Sequence, residues 1–555
     1  MSRKISFVRA GLTSAAGLVG IGVSGAVVLA LCLIPFPVLS GSPLGELVNP
    51  AAATATRVCP GPLLSVQTRD GDATSFVPFD SPPTVYASTS EPLTAFSLAV
   101  AGETQGDGLA PLAVTVPPPS DGSPVLLAGA QSQTVEHEDM AGLAAAACLE
   151  PEAESWLVGG ATDLGQSTLI RLSNPSQTDS SAHIEVYGES GRIAPSRSND
   201  VVVPAGTEQV LSLAALAPDL AMPVVHVTSS GGALVATLQQ TLVRTIVPSG
   251  VEVIEPGASA NTAQVITGVR LVDMARFSDS EGGGVTSDEE PAVRVLATSL
   301  EPSDVVVTTI ALDGSATEVK ATLNPGVVLQ LPFNAVPDGM YTVIVSGTTP
   351  IVASVRSVVT AGVNPADTAP AGTSTATPAA TPSTTPGTAA GIATPTSTPP
   401  APAGDVPMDG VPMDGGFEGG DAPAFGGAGA PSVGALAELA PLQTGGDFTW
   451  YPASAALGAS TLFGVASAPV AQLTVYNGLE SSKSLLLSAD GQPDVTISVD
   501  ARTFVSFDVT PGAIYRLEGE PGLRAAVTYS GVGRSSVSSV RPPSRLGSTI
   551  LVYPR

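Results

Sequence analysis

Between Trp156 and Val243 the chain reads WLVGGATDLGQSTLIRLSNPSQTDSSAHIEVYGESGRIAPSRSNDVVVPAGTEQVLSLAALAPDLAMPVVHVTSSGGALVATLQQTLV. Short apolar runs at 168–172, 182–187, 201–203, 209–213, 224–228 and 233–239 are rich in Val, Ile, Leu and Thr. Asn-Pro, Gly-Glu-Ser-Gly, Pro-Ala-Gly and Ser-Gly-Gly separate them. Apolar alternation bounded by turn residues is the pattern of half-buried strands. Six such runs in under a hundred residues, with no helical stretch, point to an antiparallel sandwich.

Two later stretches repeat this plan. One runs from about 264 to 358 and contains VRVLATSLEPSDVVVTTIALDGS, TLNPGVVLQLPF and MYTVIVSGTTPIVASVRSV. The other, from about 448 to the C-terminus, contains AQLTVYNGLESSKSLLLSADGQ, ISVDARTFVSFDV and AIYRLEGEPGLRAAVTYSG. Copies spaced by more than about 100 residues exceed the 40 to 50 of a propeller blade, which makes a propeller the weaker alternative. The expected class is all-β: tandem immunoglobulin-like β-sandwiches following one N-terminal membrane helix, set in a line as a stalk or multi-domain face. The expected boundaries are 58–150 for a first β-rich unit, then sandwiches at 151–257, 258–362 and 436–555, with a disordered linker at 363–435. Within the first unit, strand-like pieces lie at 95–100, 112–116 and 125–128, and AGLAAAAC, ending at Cys148, reads as one short helix.

A chain of 555 residues is too long for a single core. Hydrophobic residues make up 43% but aromatics only 4%, so the cores must be built from small aliphatic side chains. The net charge is −27 and only three lysines occur, Lys4, Lys320 and Lys483. Clustered cations are what a polyanion needs, so this composition speaks against nucleic acid as a partner. Of three cysteines, Cys32 falls in the N-terminal apolar run, which leaves Cys59 and Cys148. In an oxidising compartment these two are expected to pair, the alternative being two free thiols. Closing so long a loop would contribute on the order of 4 kcal/mol in the chain-entropy model.

Residues 1–9 carry Arg3, Lys4 and Arg9 and form the expected cytoplasmic tail. The run at 10–38 then has no charge from Gly11 onward, long enough to cross a bilayer as a single-pass anchor with the bulk of the chain outside. A cleaved signal peptide is the competing reading, because Ala53-Thr54-Ala55 resembles a small-residue cleavage site. A flexible stalk is expected at 39–57. Residues 363–435, Thr-Pro rich and then Gly-rich, hold almost no branched aliphatics and contain VPMDG twice, at 406–410 and 411–415. Such a composition buries too little surface to offset its ordering entropy.

Chemistry is hard to find in the sequence. The histidines are His137, His183 and His226. His137 stands in Glu136-His137-Glu138-Asp139, with metal-ligand residue types but no zinc spacing, and adjacent strand residues point to opposite faces. His183 and His226 fall inside expected strands. No nucleophile elbow, HExxH, phosphate loop or dinucleotide fingerprint stands in a useful context. The acidic insertion SDSEGGGVTSDEE lacks the spacing of a calcium loop. Trp156, Trp450, Tyr187, Tyr341, Tyr476 and Tyr515 could stack on sugars, but most occupy positions expected to be buried. No catalytic, cofactor-binding or metal-ligating residue is assigned, and no cofactor is expected.

RVCPGPLL at 57–64, GLAAAACLEPEAESWLVGGATDLGQSTLIRLSNPS at 142–176 and VPAGTEQVLSLAALAP at 203–218, behind an N-terminal anchor, resemble an uncharacterised family of actinobacterial secreted or membrane-anchored proteins, domain of unknown function 5719. The resemblance implies an envelope location and a β-rich fold, and supplies no catalytic residues. The expected role is therefore that of a non-catalytic structural or binding protein of the cell envelope. It would touch the membrane through its helix and cell-wall glycan or a membrane protein through its outer domains. The alternative is an enzyme, or enzyme accessory, acting on envelope polysaccharide.

Overall fold

The computed structural model describes residues 46–48, 53–69, 73–80, 82–90, 92–100, 110–120, 125–194, 200–277, 290–333, 336–368, 445–543 and 550–552. The expected tail and membrane helix, the linker from 369 onward and nearly all of the acidic insertion lie outside them. Among the described residues no helix is long and apolar enough to cross a membrane. Two short strands, Glu46–Val48 and Ile550–Val552, pair with each other in a small separate unit. The large unit spans residues 52–544.

All six runs of the opening stretch are strands. Ser180–Gly188 shows the cause most plainly: every second residue is buried, so one face holds Ala182, Ile184 and Val186 while His183, Glu185 and Tyr187 point away. With Glu154–Val158 ahead of them and Val247–Ile254 behind, these strands make two antiparallel sheets. Numbered by position, an inner sheet has the order eighth (Val247–Ile254), seventh (Val235–Arg244), second (Gln166–Asn174), fifth (Thr207–Ser212). An outer sheet has the order first (Glu154–Val158), sixth (Val224–Ser230), third (Ser180–Gly188), with the fourth (Asp200–Val203) pairing the third. One apolar cluster, including Leu157, Ile170, Ile184, Val225 and Leu238, draws on both sheets.

The immunoglobulin order is not reproduced. In that fold the first strand pairs with the second and the last with the sixth. Here Glu154–Val158 lies beside Val224–Ser230, and Val235–Arg244 lies beside Gln166–Asn174, so the first and seventh strands have exchanged sheets.

The same exchanged order recurs in the third and fourth units and, with three strands to each sheet among the described residues, in the first. In the last, Ser460–Gly464, Ile514–Gly519, Lys483–Ala489 and Val495–Val499 form the outer sheet. Its inner sheet is Arg534–Val540, Arg524–Gly531, Val470–Asn477 and Thr503–Asp508. In the third unit the sixth and seventh positions are one long strand, Gly339–Val359, which belongs to the outer sheet through residues 339–347 and to the inner one through 351–359, so the two sheets are joined. The first unit keeps the pairings of Ala55–Cys59, Leu112–Val116 and Thr94–Ser97 in one sheet and of Met140–Ala147, Leu127–His137 and Thr84–Ser88 in the other. It adds a hairpin, Leu64–Arg69 with Ala73–Pro78. Cys59, the last residue of its first strand, and Cys148, just past its eighth, are joined in a disulfide.

Further expectations change: within the expected flexible stalk at 39–57, residues 46–48 and 55–57 stand in strands. The alanine run is no helix: Met140–Ala147 pairs residue for residue with 130–137 and is buried along nearly its whole length. Alanine's helix propensity amounts to tenths of a kcal/mol per residue, and tertiary pairing overrides it. The stretch 436–555 does not open with its own unit either. Asp447–Pro452 pairs with residues 354–359 and supplies the eighth strand of the third unit. The seventh-to-eighth turn is two residues long at 138–139, 245–246 and 532–533, but in the third unit residues 360–446 take its place. Lengthening a closed loop to that extent costs about 3 kcal/mol of closure entropy, which the strand's contacts must exceed.

The units do not form a line. Their four eighth strands pack one against the next in chain order, and the last packs back on the first, closing a ring. Each inner sheet also packs against the outer sheet of the unit before it. Val235 joins Val58, Leu98 and Ala113; Leu296 and Val352 join Trp156 and Val224; Ala526 and Val537 join the third unit's cluster. Ala130, Leu143 and Ala145 of the first unit join the cluster of the fourth. Radially set sheets are a propeller's feature, but each unit here carries a second sheet and more than twice a blade's length.

Candidate functional site

Where the four eighth strands meet they belong to different sheets, so the backbone groups facing the axis have no ladder partner and must be satisfied otherwise. Asp447 does most of this. Its Oδ2 accepts N–H groups from Leu143 at 2.9 Å and Ser535 at 3.3 Å, and its Oδ1 accepts those of Phe448 at 3.0 Å and Val251 at 3.3 Å. One carboxyl group thus touches all four strands. Further along, Glu252 Oε1 accepts the Ser536 hydroxyl at 2.8 Å, and Ser536 Oγ in turn accepts Ala145 N–H at 2.8 Å. Next comes Glu255, accepting Ala147 N–H at 2.7 Å, Ser539 N–H at 3.1 Å and the Ser539 hydroxyl. Contacts advance together as 143, 145, 147 on one strand and 535, 536, 539 on another, so these strands run in the same direction.

The local sequence explains why the carboxyl fits. A Cβ on Gly142 would stand 2.8 Å from Asp447 Oδ1, and one on Gly250 would stand 2.5 Å from the Phe448 ring. Only glycine leaves that space.

All three acids are buried, and burial is the main influence on each. It pushes the Asp447 carboxyl up to about 8, against the pull of its four N–H donors. It raises Glu252 well above the carboxylate range, with the Ser536 hydroxyl opposing and Asp447 adding to the rise; among the described residues Oε2 of Glu252 meets no donor. It also raises Glu255, against Arg541 and Ser539. Groups raised in this way bind more protons folded than unfolded. Their contribution to stability is therefore complete below the ordinary carboxylate values near 4 and is lost as pH rises through the folded value, near 8 for Asp447. The thermal midpoint is expected to be several degrees lower at pH 8.5 than at pH 5 in calorimetry at fixed ionic strength. A midpoint that stays level or climbs would mean that the N–H donors outweigh burial and hold these acids ionised.

A second constellation lies on the face of the second unit's outer sheet turned away from its core. His226 sits opposite Trp156 and Glu185 in register. The Trp156 and His226 rings stack with centroids 3.8 Å apart. His226 Nε2 lies 2.9 Å from Glu154 Oε1, and Nδ1 lies 3.2 Å from Glu185 Oε2. The Tyr187 hydroxyl donates to Glu185 at 3.1 Å, and Arg192 pairs with the same carboxylate. At Glu185, burial raises the carboxyl, but His226, Tyr187 and Arg192 together outweigh it and leave it below its ordinary value. Burial and the Glu185 charge push the Tyr187 hydroxyl up to about 12. His226 thus bridges two carboxylates, Glu154 on one neighbouring strand and Glu185 on the other.

His183 and His226 lie in strands as expected, and His183 pairs with Asp200 at 2.8 Å. His137 is exposed at a strand end beside Asp139, and no group of ligand side chains among the described residues could hold a metal ion. Trp156, Trp450, Tyr341, Tyr476 and Tyr515 are buried, so they are core residues; Tyr187 is partly exposed. A small cavity at the seam of the first and fourth units is lined by Arg57, Gly129, Cys148, Phe463 and Arg541. Its cations are engaged, Arg57 with Glu150 at 3.1 Å and Arg541 with Glu152 at 3.3 Å.

Sequence reading did not single out Asp447, Glu252 or Glu255. The available signal was an acid inside an otherwise small or apolar strand, as in SGVEVIEP and GGDFTWYP. A family model described as a family of unknown function, DUF5719, matches residues 100–416, from within the first unit into the connection that precedes the third unit's last strand. No curated protein and no solved structure matches.

Proposed function

The chain belongs to the DUF5719 family, and from that premise we propose that it is a non-catalytic component of the cell envelope, a closed β-ring that serves as a structural or binding platform. The observation that carries this reading is where the titratable groups are used. Asp447, Glu252 and Glu255 satisfy backbone and hydroxyl donors inside the ring, and His226 is engaged by Glu154 and Glu185 on the outer sheet. In this reading the segment at 10–38 is a retained single-pass anchor with Arg3, Lys4 and Arg9 on the cytoplasmic side, and the ring lies outside, where its disulfide is stable. Each unit is taken as a two-layer sandwich with its edge strands exchanged relative to the immunoglobulin order. The partner is cell-wall glycan or a membrane-bound protein.

The test is retention. Purified residues 52–555 are expected to sediment with isolated cell wall and to stay in solution without it. Equal recovery in solution with and without wall removes the glycan-binding version. The enzymatic alternative draws support from Glu154, His226 and Glu185 alone. It requires that Glu185→Gln abolish release of soluble fragments from envelope polysaccharide by the purified protein, so an unmodified protein that releases none eliminates it.

A further inference from the structure

We infer that residues 445–543 are a strand-donating module that needs no covalent connection to the rest of the ring, so that the chain cut within 369–444 remains a single assembled protein of two polypeptides. The inference is independent of the envelope role and rests on how the third unit is completed. In the other units the eighth strand follows the seventh after a two-residue turn; in the third it arrives from the far side of the insertion, at the start of the segment that builds the fourth unit.

That strand is held far more firmly than an edge strand added to a sheet would be. Its backbone pairs with 354–359 over six residues. Three of those six residues are aromatic, in a chain with only 4% aromatics. Phe448 and Trp450 enter the second unit's core, and Tyr451 enters the third's. Trp450 Nε1 donates to Gln240 at 2.7 Å, and its ring lies 4.4 Å under the Arg294 guanidinium. Asp447 takes donors from each of the other three eighth strands. The module is gripped on its other sides too: Ala526 and Val537 share the third unit's cluster, and Leu143 and Ala145 of the first unit share the module's own.

An extended segment that completes a partner's sheet and fills its core is the donor-strand mode of recognition, which works between separate chains because ladder bonds and pockets carry the affinity. The tether then sets only an effective concentration.

The experiment uses the full chain with a recognition sequence for a site-specific protease inserted after Ala403. After cleavage the protein is expected to run as two bands under denaturing, reducing conditions but as one species of unchanged mass by native mass spectrometry. Its unfolding midpoint is expected to become dependent on protein concentration. Pieces that separate on a native column at micromolar concentration overturn the inference. In a second arm the cleaved Trp450→Leu protein is expected to dissociate at least tenfold more readily than the cleaved parent. Equal dissociation would mean that the strand is not what holds the pieces together, and the inference fails on that outcome as well.

Discussion

Asp447→Ala is expected to destabilise the protein by about 4 kcal/mol, in the range seen when a buried group with several partners is removed. Four backbone N–H groups, those of Leu143, Val251, Phe448 and Ser535, lose their acceptor together. Each lies where no strand ladder can replace it, and a buried donor without a partner costs on the order of 1–3 kcal/mol. The sum is reduced because a methyl side chain leaves room for the strands to relax, hence the lower total. Asp447→Asn separates charge from shape. It keeps one acceptor oxygen and sets an NH2 group against two donors, so a loss of about 2–3 kcal/mol is expected near pH 5. At pH 8.5 the gap from the parent should narrow, because the amide does not titrate while the parent loses, as pH rises from near 4 to about 8, the stability that its raised carboxyl contributes. Urea denaturation at both pH values measures this. Wild-type stability in the alanine variant would show that the axis is held by packing alone.

Arg294→Ala should cost about as much, some 3–5 kcal/mol, by leaving partners of a buried charge unpaired. The guanidinium is fully buried at the seam of the second and third units. Its donors reach the carbonyls of Gly160 at 2.8 Å, Pro223 at 3.0 Å and Ala221 at 3.1 Å, and it bonds Gln330 from its own sheet. Burial holds its pKa well below the ordinary value, with Arg356 adding to that effect. Losing it strands three carbonyls and opens a void over Trp450. Arg294→Lys is expected to recover little, because one ammonium cannot span the fork. Denaturation midpoints with an unchanged m-value would mark a pure stability loss. A lysine variant as stable as the parent would argue that only charge matters there.

The strands were legible because their cause is local. Alternation at Ser180–Gly188 follows from one buried face, and a glycine or proline turn shows where each strand stops. The repeated plan was legible for the same reason, and the cysteine pair followed from a count of three. What could not be read is non-local. Met140–Ala147 looks helical until its neighbours on every side are known, since small residues there permit close approach of strands rather than a helix. The place of Asp447–Pro452 in the third unit is hidden by the intervening residues: adjacency in sequence ties it to the fourth unit, and pairing ties it to the third. Closure of the ring and the acids along its axis are two sides of one fact, because Asp447 acquires its partners only when all four strands are present.

Closure also bears on how such a molecule can change over time. An open stack of modules can gain or lose one at either end and still cover its exposed faces with a cap. Here the first unit lies against both the second and the fourth, so deleting any member would bare two apolar walls at once and change the angle that every survivor must span. The number four is therefore built into the seams themselves, and length can be added without disturbing them only at the tips and connections, of which the one between Val359 and Asp447 is the longest of the four turns that lead into an eighth strand.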